Sequence, residues 1–336
     1  MGSQFVDLNA DGHLDWLTAT FDGSPHVSYG SAEGWSEPVR LHDAQGERIL
    51  ISSIWDYDAS KHVDLGRAMP DGQPRSERCI SALAFDWDAD GDYDLLLGSY
   101  ENGHLWLQEN GGTNAEPEFT GRNVPVTAGD APFAIPAKMT APQLVDWDGD
   151  GDLDLIAGSF GDSYGAQAEG GGVYLSRNRG ESGAPDFGPL ETLIEPSRKG
   201  ASEPTRPDAG LYPHAVDWDG DGDLDLIVGG YSMWTPPARE LSADEQATAA
   251  RLQQELDAVR EVQRSLMARV NEETAKATEG VDPASPEVRK KRSEIFETHR
   301  AEYTAASRKS QVLSAELQEL VPAPKREAFV WLYEQR

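Results

Sequence analysis

Asp146-Trp-Asp-Gly-Asp-Gly-Asp-Leu-Asp154 places five carboxylates in nine residues, and nearly the same words recur elsewhere in the chain. They return as Asp86-Trp-Asp-Ala-Asp-Gly-Asp-Tyr-Asp94 and as Asp217-Trp-Asp-Gly-Asp-Gly-Asp-Leu-Asp225, and a divergent copy stands at Asp7-Leu-Asn-Ala-Asp-Gly-His-Leu-Asp15. The three full copies lead into apolar runs, Leu95-Leu-Leu-Gly98, Leu155-Ile-Ala-Gly158 and Leu226-Ile-Val-Gly229. An acidic loop followed by a strand is therefore the unit, and its repetition is the plan of the chain.

The second and third units share a longer order. After the strand comes a turn, then an aromatic strand (His104-Leu-Trp-Leu-Gln108, Gly172-Val-Tyr-Leu-Ser176), then Asn-x-Gly at Asn110 and Asn178, then Pro-x-Phe at Pro117 and Pro185. The turn is Glu101-Asn-Gly103 in one unit and runs from Gly161 to Gly171 in the other. Spacings of 60 residues (Asp86 to Asp146) and 71 (Asp146 to Asp217) fit units of about four short strands, as in propeller blades. Residues 42–80 are less regular. There Asp56, Asp58, Ser60 and Asp64 echo the loop spacing, but Lys61 stands where the loops have Gly. That stretch reads as an insertion, with a degenerate metal loop as the alternative.

The fourth unit starts normally and reaches Gly230-Tyr-Ser-Met-Trp234, after which the composition changes to Ala, Glu, Gln, Arg and Leu. Ser242 with Glu245 makes a capping box. Leu252, Leu256, Val259, Gln263, Leu266 and Val270 then recur at spacings of four and three. The pattern fades at Glu279-Gly-Val-Asp-Pro283, restarts at Ser285-Pro286, and continues through Ile295, His299, Ala306, Leu313, Leu317 and Leu320. This predicts two helices of equal length joined as an antiparallel hairpin, with Gln263 and His299 as polar members of the seams. Ala328-Phe-Val-Trp-Leu-Tyr-Glu334 resembles the aromatic strands of the other units and is read as the returning strand. The expected division is 1–238 for the repeats, 239–327 for the inserted hairpin and 328–336 for the returning strand.

Oxygen ligands at positions 1, 3, 5 and 9, with Gly at 6 to allow the bend, suit a hard cation that takes six to eight oxygens. The candidate ligands are Asp7, Asn9, Asp11, His13 and Asp15; Asp86, Asp88, Asp90, Asp92 and Asp94; Asp146, Asp148, Asp150, Asp152 and Asp154; and Asp217, Asp219, Asp221, Asp223 and Asp225. Position 7 (His13, Asp92, Asp152, Asp223) is expected to give its backbone carbonyl. Calcium is the expected ion, at about four sites, the first being weakest because Asn9 and His13 replace carboxylates. These are not EF-hand loops. Position 12, where that loop needs Glu, is Thr18, Leu97, Ala157 or Val228.

The motif Asp-x-Asp-x-Asp-Gly-x-x-Asp, followed by Leu-Asp-Leu-(Ile/Leu)-x-Gly, resembles the FG-GAP/VCBS repeat family, related to the propeller of integrin α subunits. The resemblance covers residues 1–234 and 328–336. It implies a mainly β chain, a calcium-binding β-propeller that looks incomplete with four clear motif-bearing blades, carrying a long inserted antiparallel α-helical hairpin or coiled coil. It implies an extracellular, cell-surface or periplasmic location. No signal peptide is visible, and the first repeat begins without a preceding strand, so the chain reads as a fragment or a misplaced start.

Composition bounds the partners. The net charge is −30, and all but −2 of it lies outside 242–327, where 14 basic residues face 16 acidic ones. Such a surface repels nucleic acid and anionic membrane. No apolar run is long enough for a membrane span, and the single cysteine, Cys79, excludes an intrachain disulfide. No Gly-x-Ser-x-Gly, His-Glu-x-x-His or phosphate-cradling loop occurs, and the seven His are scattered. The reading therefore leans toward a non-enzyme: an interaction or adhesion module with a protein or glycan partner, its hairpin a spacer, a partner-binding arm or a self-association element. The alternative is a carbohydrate-binding or carbohydrate-active propeller, lectin-like or polysaccharide-lyase-like. In that reading Trp87, Trp147 and Trp218 stack on sugars; in the plainer one they pack between blades.

Overall fold

A computed structural model of the chain describes residues 2–57, 61–65, 76–136, 138–161, 170–181, 183–196, 206–279, 281 and 286–335. Asp58, Ser60, Ser285 and most of the turn between Gly161 and Gly171 lie outside the described residues. The chain divides into two compact units. One comprises Met1–Tyr57, Lys61–Trp234 and Arg326–Arg336; the other is built of Thr235–Lys325.

The first unit is a succession of small antiparallel sheets. The first sheet has β1 (Ser3–Val6), β2 (Asp15–Ala19), β3 (Pro25–Ser28) and, beyond a short ribbon of β4 (Gly30–Ser31) and β5 (Gly34–Trp35), β6 (Val39–Arg40). A hairpin of β7 (Ser53–Asp56) and β8 (Lys61–Asp64) follows. It pairs Asp56 with Lys61 and Ser53 with Asp64, so Asp56 and Asp64 stand at opposite ends of a ribbon rather than around one centre.

The second sheet has β9 (Cys79–Phe85), β10 (Asp94–Ser99), β11 (Leu105–Gln108) and β12 (Val124–Pro125), with a small ribbon of β13 (Thr127–Ala128) and β14 (Ala131–Pro132) after it. The third has β15 (Met139–Val145), β16 (Asp154–Ser159), β17 (Val173–Ser176) and β18 (Glu191–Ile194). The fourth has β19 (Ala209–Val216), β20 (Asp225–Trp234) and, returning after the helices, β21 (Lys325–Tyr333). Strand β21 begins three residues before the expected Ala328. No sheet closes on itself among the described residues.

Alternation along the strands makes this a stack. Side chains of a strand point to opposite faces in turn. Leu95 and Leu97 enter a core with Val6, Leu17 and Val27 of the first sheet. Leu96, between them, enters a core with Leu155, Ala157 and Tyr174 of the third. Ile156 enters a third core with Leu226 and Val228. Both faces of β10 and β16 are covered, which is why their sequences are unbroken apolar runs rather than alternating ones.

The second unit holds α1 (Ala243–Ala277) and α2 (Pro286–Leu320), each 35 residues and so about 52 Å long. The Ser242–Glu245 capping box is formed. The helices pack on each other through Leu252, Leu256, Val259 and Leu313, with Leu317 and Leu320 beside them. Gln263 Nε2 donates to Ser307 Oγ at 3.0 Å, and His299 Nε2 lies 3.2 Å from Glu273. The two polar seam residues thus each face a polar residue of the other helix, not one another.

Candidate metal centres

Each acidic loop turns through two left-handed residues. Position 6 is Gly in every copy, with φ of 87°, 98°, 97° and 99° at Gly12, Gly91, Gly151 and Gly222. Position 4 is left-handed too, at Gly149 and Gly220, but also at Ala10 (57°) and Ala89 (60°), where a Cβ makes that conformation costly. Backbone N–H groups then fold onto the carboxylates. Gly91 and Gly151 donate to the position 1 Asp, and the residue at position 7 donates to the one at position 5 in all four loops.

Three of the loops bring carboxylates together. Asp86, Asp88 and Asp90 form one cluster, Asp146, Asp148 and Asp154 a second, and Asp217, Asp219 and Asp221 a third, each with ligand atoms within 4.8 Å of one another. The first loop forms no such cluster among the described residues. Its Asp7 takes the N–H groups of Asp11 and Gly12, and Asn9 and Asp11 bond each other. His13 is exposed, and its backbone N–H donates to Asp11. Asp92, Asp150, Asp152 and Asp223 lie in the same turns outside these clusters.

The donor set is all carboxylate oxygen, the chemistry of a hard cation. Burial and the neighbouring Asp90, Asp88 and Asp86 raise the pKa of Asp92, and burial with Asp221 beside it raises that of Asp223. The buried Oδ1 atoms of Asp86, Asp92 and Asp223 have no hydrogen-bond partner among the described residues. Like charges crowded around unpartnered oxygens fit a divalent cation, held by Asp86, Asp88 and Asp90 or their counterparts. The third loop differs: Arg177 pairs with Asp148 and, at 3.0 Å, with Glu191, so a cation of the chain's own is already there.

Position 9 does a second job in all four units. Its Asp is buried, and one carboxylate oxygen accepts the N–H of loop position 2: Leu8 to Asp15 (2.9 Å), Trp87 to Asp94 (2.9 Å), Trp147 to Asp154 (3.0 Å) and Trp218 to Asp225 (3.0 Å). The other oxygen accepts an N–H two residues past the third strand: Gly30 (2.8 Å), Asn110 (2.7 Å), Asn178 (2.7 Å) and Gln335 (3.0 Å). This clamp ties the loop to the far end of its own sheet. Burial, opposed by the two N–H bonds and reinforced by Asp88 and Asp92, pushes the Asp94 carboxyl up to about 6. Asn110 and Asn178 extend the clamp, each Oδ1 accepting two backbone N–H groups of the Asn-x-Gly…Pro-x-Phe turn and seating the buried Phe119 or Phe187.

Two of the three Trp residues at position 2, Trp87 and Trp147, take the packing role. Trp87 lies against Phe85 and Phe187 in the core between the second and third sheets, and Trp147 joins the core between the third and fourth. Trp218 is exposed.

Two further features were not legible as sites in the sequence. An aromatic stands six residues past each position 9 Asp, at Phe21, Tyr100, Phe160 and Tyr231, and these rings form a row with centroids 6.1, 5.8 and 6.4 Å apart. Trp55 extends the row at Phe21, 6.0 Å away. Arg78 lies over Phe21, Lys138 over Tyr100 and Arg326 over Tyr231, at 4.2, 4.8 and 4.1 Å from the ring centroids. The fixed six-residue offset was the available signal. The second feature is Glu77, fully buried, which accepts from His104 Nδ1 (2.8 Å), Trp106 Nε1 (2.9 Å) and Asn102 Nδ2 (3.0 Å). No motif marks it, because it sits at the end of the irregular stretch.

Comparison with curated proteins gives no match to this chain. The FG-GAP-like repeat family model matches it twice, over residues 86–157 and 146–228, spans that run from one acidic loop through the next. Residues 86–228 are accordingly FG-GAP-like repeats.

Proposed function

We propose that this chain is a calcium-stabilised propeller module for interaction or adhesion at an extracellular or cell-surface location. What carries the reading is the recurrence of three carboxylates within 4.8 Å in three successive loops of FG-GAP-like repeats. Calcium would be held by Asp86, Asp88 and Asp90, by Asp146, Asp148 and Asp154, and by Asp217, Asp219 and Asp221, with the first loop a weaker site. The ion supplies rigidity: it neutralises crowded carboxylates and fixes loops that enter each sheet. The helical hairpin serves as a spacer or partner-binding arm. Calorimetric titration tests the ion, with calcium expected to bind and magnesium to bind less well. A partner lost on deleting 240–326 and kept on mutating the loops assigns recognition to the hairpin; loss of neither calcium binding nor melting temperature on removing the loop carboxylates sinks the calcium reading.

The aromatic row favours a second reading, carbohydrate recognition. Flat rings stack on sugar faces, and Lys138 and Arg326 offer charge to acidic sugars. Glycan-array binding abolished by Tyr100→Ala and Phe160→Ala would favour it over the first. Binding unchanged by both substitutions would remove it.

A further inference from the structure

The residue just before each clamp donor occupies the same place in all four units. The donors to Asp15, Asp94, Asp154 and Asp225 are Gly30, Asn110, Asn178 and Gln335. The residues before them are therefore equivalent: Tyr29, Glu109, Arg177 and Glu334. In the second and third sheets the strand register agrees as well, with Leu95 facing Gln108 and Leu155 facing Ser176. One position beside an acidic loop thus carries a carboxylate in the second and fourth units and a guanidinium in the third.

The loops differ in step with that residue. In the second and fourth, the carboxylates that converge are those of positions 1, 3 and 5; in the third they are those of positions 1, 3 and 9, and Asp150 stands apart. Among the described residues, the second loop leaves buried oxygens of Asp86 and Asp92 without a hydrogen-bond partner, and the fourth leaves one of Asp223. Asp92 is 7% exposed. The third loop has no such oxygen among the described residues. There Arg177 Nη1 donates to Asp148, and Nε donates to Glu191 at 3.0 Å. Glu191 faces Leu175 across the third sheet, whereas Val39 and Val124 face the matching Val27 and Leu107 in the first and second. The guanidinium and the second carboxylate that holds it therefore occur together, in the third sheet.

We propose that the residue before the clamp donor decides how its loop is neutralised: Arg177 is the resident cation of the third loop, whereas Glu109 and Glu334 leave the second and fourth loops to a divalent cation. The proposal rests on the calcium reading given above and assigns that reading unequally to the loops. A guanidinium and a divalent ion cannot share Asp148 cheaply, because they compete for the same oxygen and their like charges repel at short range. Calcium therefore fills the second and fourth loops first and must displace Arg177 to enter the third. The third unit holds its loop without metal; the second and fourth do not.

Calcium titration calorimetry of the full chain tests this. Two tight sites are expected, with further binding weaker by about tenfold or more. Arg177→Glu, which installs the residue type of the second and fourth units, should give three tight sites; Arg177→Gln should do the same if Arg177→Glu does not fold. Glu109→Arg should leave one. Three equal sites in the parent, an isotherm unchanged by both Arg177 variants, or two tight sites retained in Glu109→Arg overturns the proposal. A parent that binds no calcium sinks the calcium reading, and the role of Arg177 is then decided by melts in chelator. There Arg177→Gln should lower the melting temperature, and Glu109→Arg should raise it by giving the second loop a cation of its own. A Glu109→Arg chain that melts at or below the parent, or an Arg177→Gln chain that melts with it, removes the resident-cation assignment.

Discussion

The Asp225 carboxylate accepts the backbone N–H of Gln335 at 3.0 Å, across 110 residues of chain. It is the counterpart of the bonds from Gly30, Asn110 and Asn178 to Asp15, Asp94 and Asp154, and it fixes β21 as the third strand of the last sheet. Asp225→Ala would leave two part-buried N–H groups, of Trp218 and Gln335, without the buried carboxylate that accepts them. Hydrogen bonds to a charged group contribute about 1.5–3 kcal/mol each, so a loss of about 3 kcal/mol is expected. Urea melts would check it, and Asp219→Ala, an exposed loop carboxylate, should cost far less in the absence of calcium.

Calcium should raise the melting temperature and a chelator should reverse it. At a hundredfold excess over its dissociation constant, each site adds about 2.7 kcal/mol. The third loop should respond least at first, since Arg177 already pairs with Asp148. Arg177→Ala is therefore expected to tighten calcium binding there while lowering the stability of the metal-free chain. Titration calorimetry of the variant against the parent measures both signs.

Ala89 sits at φ 60° where the third and fourth loops have Gly149 and Gly220. The left-handed conformation costs a Cβ-bearing residue about 1–2 kcal/mol, and Gly returns part of that as lost chain entropy. Ala89→Gly should stabilise the chain by about 0.5–1 kcal/mol, read as a small rise in melting temperature. A fall would mean that the turn is not held as described.

How much of this was legible follows from what each feature depends on. The loops, the strands after them and the helical hairpin are local patterns of period and turn chemistry, and they stand in the sequence at Asp146–Asp154 and Leu252–Val270. The return of β21 was legible too, because Phe329–Tyr333 repeats the aromatic strand of its siblings. The clamp was not. Position 9 looked like a metal ligand by spacing alone, and the second of its two partners lies 15 to 110 residues away. The position of Trp87 between sheets depends on how units stack, which no local window contains. Asp56 and Asp64 shared the loop spacing but fell into a hairpin, whose register the spacing does not encode.

Acid should weaken the second sheet through Glu77. Despite its burial, the bonds from His104 and Trp106 hold its carboxyl below the usual range. Its ionised form is thus favoured by folding, and that stability is present above the unfolded value of about 4.3 and lost as pH falls through the folded one. Glu77→Gln should lower stability at neutral pH and flatten the acid side of the stability profile. Denaturant melts from neutral pH downward, parent against variant, would show the two curves converging; parallel curves would remove Glu77 from the acid response.

Gln263 interrupts an otherwise apolar seam between Val259 and Leu266, and its one described interhelical bond is to Ser307. A polar pair in such a seam contributes register more than stability. Gln263→Leu should raise the melting temperature of the helical signal, because the apolar side chain gains burial and the Ser307 hydroxyl can turn to a carbonyl one turn back in its own helix. Leu256→Ala, by contrast, removes a fully packed side chain and should cost about 2–5 kcal/mol. Register is read separately, by a disulfide engineered across the seam near Gln263 and Ser307. It should form in one alignment in the parent and lose that selectivity in Gln263→Leu. If the variant melts lower than the parent, the Gln263–Ser307 bond contributes stability rather than alignment, and the seam depends on it as it depends on Leu256.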